Sequence, residues 1–397
     1  MAELTAVGIT CGVGSMLIGA KQLGFEVVGN IEWRSYYHAT DERGLNTFTE
    51  NFKGAPFVRS IKADAVSSRM YGATLAMSHP ECGAYSTLSG NQKRLDSKSD
   101  IPLALELIRE LKPRFFAMDE LPKALIAMPM EELMESLPGY DLFPEWVSNY
   151  NYGNVQKARN RFFLIGARRG EGFTFVPGEE PSEQTLQDVL QGLEGLPNND
   201  PQATKGIARY ARHVRFHGAY PTHEEAQEFL AAHKRGTIYY HNAEGRITPR
   251  MSLPKSAWDK PCPVLTGLNP ALHPSGRPFN VRERARIQGV PDDFVFYGTK
   301  LEGNGTFDHC RNATMAKQTG KFMPVQFCTY VARQVKAHVQ GKRFKSSGQR
   351  VVKPNPFVTQ AKMDWCAATW YEDQKRACSH CWVEPCKMRQ APKGSIP

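Results

Sequence analysis

This chain of 397 residues contains no apolar run long enough to cross a membrane. Its first ten residues, Met-Ala-Glu-Leu-Thr-Ala-Val-Gly-Ile-Thr, lack the basic stretch and apolar core of an export signal. Cysteine is sparse and odd in number, nine spread over the whole length. That distribution argues against a disulfide framework and for reduced thiols with one or two special jobs. A soluble intracellular protein is expected. Acids are scarce at the carboxyl end, where residues 341–397 hold four Asp and Glu against eleven Lys and Arg, so most of the formal charge of +10 sits there. Such an excess suits either a polyanionic partner such as nucleic acid or a plain solvated tail. The remaining composition, 41% apolar and 23% charged, is that of a globular protein with a sizeable core and room for two domains.

Residues 5–33 read as a strand, a tight turn at Gly12-Val13-Gly14, a helix from about 15 to 23 ended by Gly24, and a second strand, 27–31, closed by Glu32. Glycines in the first turn of such a βαβ unit let the backbone approach a nucleoside-bearing ligand, and an acid closing the second strand can accept hydrogen bonds from ribose hydroxyls. Trp33 offers a ring face to a base. Asp64 falls where an acid can meet that base's exocyclic amine or, equally, close a turn. The apolar stretch 73–77 suits a buried parallel strand, so the polar loop after it, which carries Cys82, belongs to the carboxyl edge where α/β sheets bind ligands. A thiol there is either a nucleophile or an inert small residue. Ser99-Asp100-Ile-Pro starts a capped helix that Lys112-Pro113 stops, and a strand over 114–118 then delivers Asp119 and Glu120 to the edge shared with Cys82. Arg159 and Arg161, at alternate positions entering a strand over 162–167, point two guanidinium groups to one side, a fork suited to phosphate or a base carbonyl.

Taken in this order, these residues resemble the cytosine-5 DNA methyltransferases, over about residues 5–170 and 255–340. Gly12-Val-Gly14 with Glu32-Trp33 is similar to that family's cofactor motif, and Pro80-Glu-Cys82 to its Pro-Pro-Cys nucleophile loop. Asp119-Glu-Leu121 is similar to its Glu-Asn-Val, and Arg159-x-Arg161 to the end of its Gln-x-Arg-x-Arg. Residues 282–294 resemble its late helix motif, and Lys317-Gln-Thr-Gly320 its last, which packs beside the first. The resemblance implies an α/β fold, a Rossmann-like S-adenosylmethionine-dependent methyltransferase sheet with a small target-recognition region and a basic Cys-rich tail. The implied organisation is a catalytic domain in two parts, 1–170 and 255–340, a recognition region over 171–254 and a tail over 341–397. The implied partner is double-stranded DNA, modified by a monomer in the cytoplasm of a bacterial or phage-infected cell.

In the chemistry so implied, Cys82 adds as a thiolate to carbon 6 of a flipped cytosine, so that carbon 5 can attack the sulfonium methyl of S-adenosylmethionine. Asp119 or Glu120 protonates ring nitrogen 3, and Arg159 and Arg161 hold the base. The cofactor is assigned to Cys11, Gly12, Val13, Gly14, Glu32, Trp33, Asp64 and Lys321.

The chain departs from the family at four places. Glu81 replaces a Pro, and a carboxylate beside a thiol opposes the thiolate. Asp119 is shorter than the Glu it replaces, while Glu120 stands at the Asn position. The Gln of Gln-x-Arg-x-Arg falls on Lys157 unless Gln156 is used. Lys321 replaces the Asn of a Gly-Asn pair. Its ammonium can accept a carboxylated S-adenosylmethionine, giving carboxymethylcytosine, or it can pair with a local acid such as Glu81 while plain methyl is transferred. RNA as substrate and a catalytically silent DNA-binding relative are the other open readings.

Residues 205–220 interleave basic and aromatic side chains, a pattern for phosphates and stacked bases. A helix over 222–233 and a hairpin of 237–241 with 246–252 follow. In the tail, Cys366, Cys378, Cys381 and Cys386 have the spacing of a structural zinc site or are free thiols. Cys262, Cys310 and Cys328, with Cys11, read as packing residues.

Overall fold

A computed structural model describes residues 3–60, 66–81, 100–121, 130–157, 159–178, 182–200, 235–241, 247–254, 256–265, 271–275, 277–298 and 311–344. The chain opens with β1 (Thr5–Ile9), whose side chains alternate between two cores: Ala6 joins one, Val7 and Ile9 the other. This period of two is what a strand covered on both faces requires. Helix α1 (Leu17–Gln22) follows and ends at Gly24, whose φ of +84° suits a residue without a Cβ. The next strand, β2 (Glu26–Ile31), returns parallel to β1, with Ile31 beside Ile9. Helix α2 (Thr47–Asn51) leads to the short β3 (Phe57–Val58), and β4 (Leu75–Ser78) inserts on the other side of β1.

Helix α3 (Ile101–Leu111) ends at Lys112, in the left-handed region at φ +47° and just ahead of Pro113. Asp100 stands at its N-cap but makes no cap hydrogen bond, a correction to the expected capped start; its carboxylate accepts from the backbone N–H of Glu81 instead, at 3.2 Å. The strand after it, β5 (Phe115–Glu120), is longer than expected and contains Asp119 and Glu120 as its last two residues.

Helix α4 (Met130–Ser136) follows, and the sheet order is β3-β2-β1-β4-β5-β7-β6, where β6 (Tyr140–Ser148) and β7 (Asn160–Arg168) form an antiparallel pair. Because β7 runs against β5, its first residues lie at the same edge as the last residues of β5: Phe162 faces Glu120 and Phe163 faces Asp119. This reversal brings Arg161, distant in sequence, beside the two acids. A separate two-stranded antiparallel sheet, β8 (Arg235–His241) with β9 (Ile247–Pro254), matches the expected hairpin. Residues 205–220 and 222–233 lie outside the described residues.

The closing part of the chain is held by buried arginines. In α5 (Val281–Ile287), capped by Asn280 and Glu283, Arg282 donates to the carbonyls of Pro197, Pro291 and Phe294. Arg284 reaches α6 (Arg311–Gly320), donating to Thr319 Oγ1 at 3.0 Å and the Ala316 carbonyl at 3.2 Å. Buried cations are tolerated when their donors are filled in this way. The last helix, α7 (Val325–Val339), lays Phe327, Cys328, Val331 and Val335 into the core that contains Ala6. Cys11, Cys262 and Cys328 are buried free thiols, as expected of packing residues; Cys310 lies outside the described residues.

Gly19 of α1 lies so close to α7 that a Cβ built on it would stand 2.8 Å from the Thr329 Cα. Backbone on both sides leaves little to yield. Gly19→Val is therefore expected to destabilise the fold by about 1–3 kcal/mol, read as a lower midpoint in thermal unfolding. Gly24→Asn, with open space around its Cβ and a φ that Asn adopts, is expected to stay within about 1 kcal/mol.

Candidate active site

The carboxyl ends of β1, β2, β4 and β5 share one edge of the sheet. Beyond β1 the chain turns through Thr10 at φ +56°, Gly12 at +61° and Gly14 at +92°. Both glycines are packed by rings from within the protein: a Cβ at Gly12 would meet Tyr37 at 2.9 Å and one at Gly14 would meet Phe52 at 2.5 Å. Cys11 and Val13 are buried in the core; Cys11 donates its thiol to the Met77 carbonyl at 2.9 Å, and burial pushes that thiol well up. Their side chains thus serve packing, and what this turn offers a ligand is backbone.

Glu32, expected as an open acceptor for ribose hydroxyls, is instead fully enclosed. Oε1 accepts from the Arg34 backbone N–H at 2.9 Å and its Nε at 2.7 Å, while Oε2 accepts from Arg34 Nη2 at 2.7 Å and the Gly12 N–H at 2.8 Å. Arg34 is itself buried and also donates to the Thr10 carbonyl at 2.8 Å. Burial opposes its charge, but the contact with Glu32 holds the guanidinium well above its ordinary value. Trp33, 40% exposed, presents its ring beside this pair. Asp64 lies outside the described residues.

A second charged group stands where the β4 loop begins. Glu81 Oε2 accepts from Lys321 Nζ at 2.5 Å and from Arg34 Nη1 at 3.3 Å, and Lys321 also donates to the Tyr36 hydroxyl at 2.9 Å. Burial alone would raise the Glu81 carboxyl, but Lys321 and Arg34 bring it down to about 2. Lys321 thus pairs with Glu81, the local acid named for it from the sequence. Cys82 follows immediately in sequence and lies outside the described residues, as do Cys366, Cys378, Cys381 and Cys386. Among the described residues there is no cluster of His, Cys, Asp and Glu that could hold a metal ion.

Asp119 and Glu120 divide sharply. Asp119 is fully buried; Oδ1 meets His79 Nδ1, and Oδ2 accepts from Arg161 Nε at 2.5 Å. Burial works against its charge, but Arg161 and His79 lower it to about 2. Glu120, equally buried, turns Oε2 onto the Leu121 N–H at 2.8 Å, and its Oε1 has no hydrogen bond among the described residues. Desolvation dominates there and raises the carboxyl to about 8, so Glu120 is mostly protonated at neutral pH. Sequence reasoning left the choice between these two acids open; their surroundings make it.

The expected fork of two arginines does not form. Arg161 joins Asp119, whereas Arg159 donates to the backbone carbonyls of Leu265, at 2.8 Å, and Phe322. Arg159 precedes the first residue of β7, so the alternation of a strand does not govern it. It anchors the segment that carries Lys321. Of the two candidates for the glutamine position, Gln156 is buried, donating to Gln288 Oε1 at 2.7 Å and accepting from the Leu265 N–H at 3.0 Å. Sequence reasoning missed three members of the site, Arg34, Tyr36 and His79. The position of His79 directly after an apolar strand, at the edge reached by Asp119, was the available signal.

The sequence model of the C-5 cytosine-specific DNA methylase family matches residues 4–337. Type II methyltransferase M.FnuDI of Fusobacterium nucleatum is 23% identical over 351 residues, covering 83% of this chain and 94% of that protein. M.HgiDI of Herpetosiphon aurantiacus, also a type II methyltransferase, is 23% identical over 351 residues, covering 86% of this chain and 97% of that protein. A solved structure from E. coli, a candidate DNA modification methyltransferase encoded within a prophage, shares the fold at a TM-score of 0.55 and 18% identity, covering 85% of this chain and 99% of that one.

The raised Glu120 carboxyl has a measurable sign. Its folded value of about 8 lies above the ordinary carboxyl value of 4.5, so the folded state holds the extra proton between the two. The stability this confers is complete below the lower value and is lost as pH rises through the upper one. Denaturant unfolding at pH 6 and pH 9 is expected to show a fall in stability that Glu120→Gln reduces.

Proposed function

The chain belongs to the C-5 cytosine-specific DNA methylase family, and on that premise we propose that it methylates carbon 5 of cytosine in double-stranded DNA, as a cytoplasmic monomer, with Cys82 as its nucleophile. The observation that carries this reading is the neutral Glu120, a buried carboxyl with one oxygen unbonded among the described residues, at the end of the strand next to the one that leads to Cys82. Addition of a thiolate at carbon 6 sends electron density toward nitrogen 3, which then needs a proton from an acid that still holds one at neutral pH. Glu120 meets that need and the ionised Asp119 does not. Arg161, held by Asp119, is placed for the base carbonyl or for the charge that develops on the ring.

S-adenosylmethionine, when bound, supplies the methyl on a positively charged sulfur. The residues fit its adenosine end: a buried carboxylate at a strand end, Glu32, stands beside the exposed indole of Trp33 and the positive-φ turn Gly12–Gly14. Asp64 completes the set in this reading. Arg34 would yield part of its hold on Glu32 to the ribose. Glu32 and Glu81 match Arg34 and Lys321 in number, so that Lys321 already has a carboxylate partner within the chain. That balance supports methyl rather than carboxymethyl transfer. The region 171–254 serves in this reading as a small target-recognition unit. The tail cysteines make a structural zinc a separate proposal, rejected if the purified protein carries no stoichiometric metal.

Nucleoside mass spectrometry of DNA from cells expressing the chain is expected to show 5-methylcytosine, lost in Cys82→Ser. Carboxymethylcytosine would establish the other donor, and unmodified DNA with modified RNA would move the reaction to RNA. Glu120→Gln, which retains a hydrogen-bond donor but no transferable proton, is expected to lower kcat by about 100-fold and to remove a fall in activity above pH 8 that the unsubstituted enzyme shows.

A further inference from the structure

Resting on that reading, we infer that the Arg34 side chain is a built-in occupant of the ribose site on Glu32, and that it vacates the site by moving onto Glu81. Glu81 and Lys321 then set how tightly the cofactor is held, through Arg34 rather than by contact with the ribose.

Glu32 is fully buried and its carboxylate is filled. Each oxygen already accepts two hydrogen bonds, the full capacity of an ionised carboxylate. Two of the donors are backbone N–H groups, those of Gly12 and Arg34, fixed in the turns that follow β1 and β2. The other two are Nε and Nη2 of the Arg34 side chain. Only the side-chain donors can leave, and a ribose brings a pair of hydroxyl donors in their place. The acid that the sequence offers to a sugar is thus already taken, by a group with the same number of donors.

A buried guanidinium cannot give up its carboxylate cheaply unless a second partner receives it. Arg34 has one in reach. Its Nη1 stands 3.3 Å from Glu81 Oε2, whereas Nε and Nη2 each stand 2.7 Å from Glu32. The guanidinium lies 5.0 Å from the centre of the Tyr37 ring, and a ring face attracts a cation without fixing its direction. Nη2 is also 2.8 Å from the Thr10 carbonyl and 3.5 Å from that of His79. These acceptors follow the order of the sheet, Glu32 after β2, Thr10 after β1, His79 and Glu81 after β4. A shift of the guanidinium along them shortens one ion pair as it lengthens the other.

Lys321 sets the balance. Its ammonium stands on the same Glu81 oxygen at 2.5 Å and also donates to the Tyr36 hydroxyl at 2.9 Å. By competing for Oε2 it keeps Arg34 on Glu32. Glu81 and Lys321 therefore act on the ribose site with opposite signs: one draws Arg34 away, and the other holds it there.

The test is the dissociation constant of S-adenosylhomocysteine, measured by titration calorimetry without DNA. This ligand carries the same adenosine and no net charge, so a direct pull from Glu81 or Lys321 is small. Glu81→Gln removes the carboxylate that receives Arg34 and is expected to weaken binding about 10-fold, while Lys321→Met is expected to tighten it about threefold. With Arg34→Met as the background, both shifts are expected to shrink to within about twofold. Binding that is unchanged or tighter in Glu81→Gln, unchanged or weaker in Lys321→Met, or still shifted without Arg34 overturns the assignment. Should Arg34→Met fail to fold, Arg34→Gln takes its place, and the opposed signs of the two single variants decide if neither folds. If the unsubstituted protein does not bind S-adenosylhomocysteine, the cofactor reading itself fails; binding without the opposed shifts sinks the role of Arg34 alone.

Discussion

Two carboxyl groups adjacent in sequence, Asp119 and Glu120, are driven into opposite protonation states by what touches them, and the chemistry of the site depends on that division. Both are removed from water, which by itself penalises either anion. Asp119 escapes the penalty because Arg161 and His79 press on its two oxygens. Among the described residues Glu120 is hydrogen-bonded only by the N–H of the next residue, and it surrenders its charge instead. One supplies a fixed negative charge that orients its neighbours, and the other, in the proposed reaction, a proton. The strand places both at one edge, and the reversed direction of β7 supplies the arginine that tells them apart.

The second requirement is delivery of Lys321 across the molecule. It follows α6, whose last turn is tied to α5 by Arg284 and Gln288, and the residue after it is held by Arg159. The arginines of this helix thus direct donors to carbonyls, to Thr319 and to Asp292 within the chain. A cation delivered so firmly to Glu81 is best understood as the counterpart of the carboxylate that stands before the thiol.

Much of this fold is legible in the chain. Apolar stretches closed by Gly, Pro or a polar loop locate β1, β2, β4 and β5, because strands buried on both faces leave little other composition possible. The resemblance of the motifs gives their order and the edge at which they meet. What the chain does not reveal is which acid stays neutral, since that depends on Arg161 lying across β5, a pairing 42 positions distant in sequence. Nor does it reveal that Arg159 turns to backbone while Arg161 turns to Asp119, because a period of two holds only within a strand. Glu32 shows the same limit: its place at the end of β2 is readable, but its capture by a neighbour two residues on is a matter of side-chain direction.

Arg34 touches both Glu32, which follows β2, and Glu81, which follows β4. One guanidinium wired between two anions makes the edge a single electrical circuit rather than two independent terminals. Neutralising either carboxylate leaves the whole of that cation to the other, so the effects of changes at the two ends cannot simply be added.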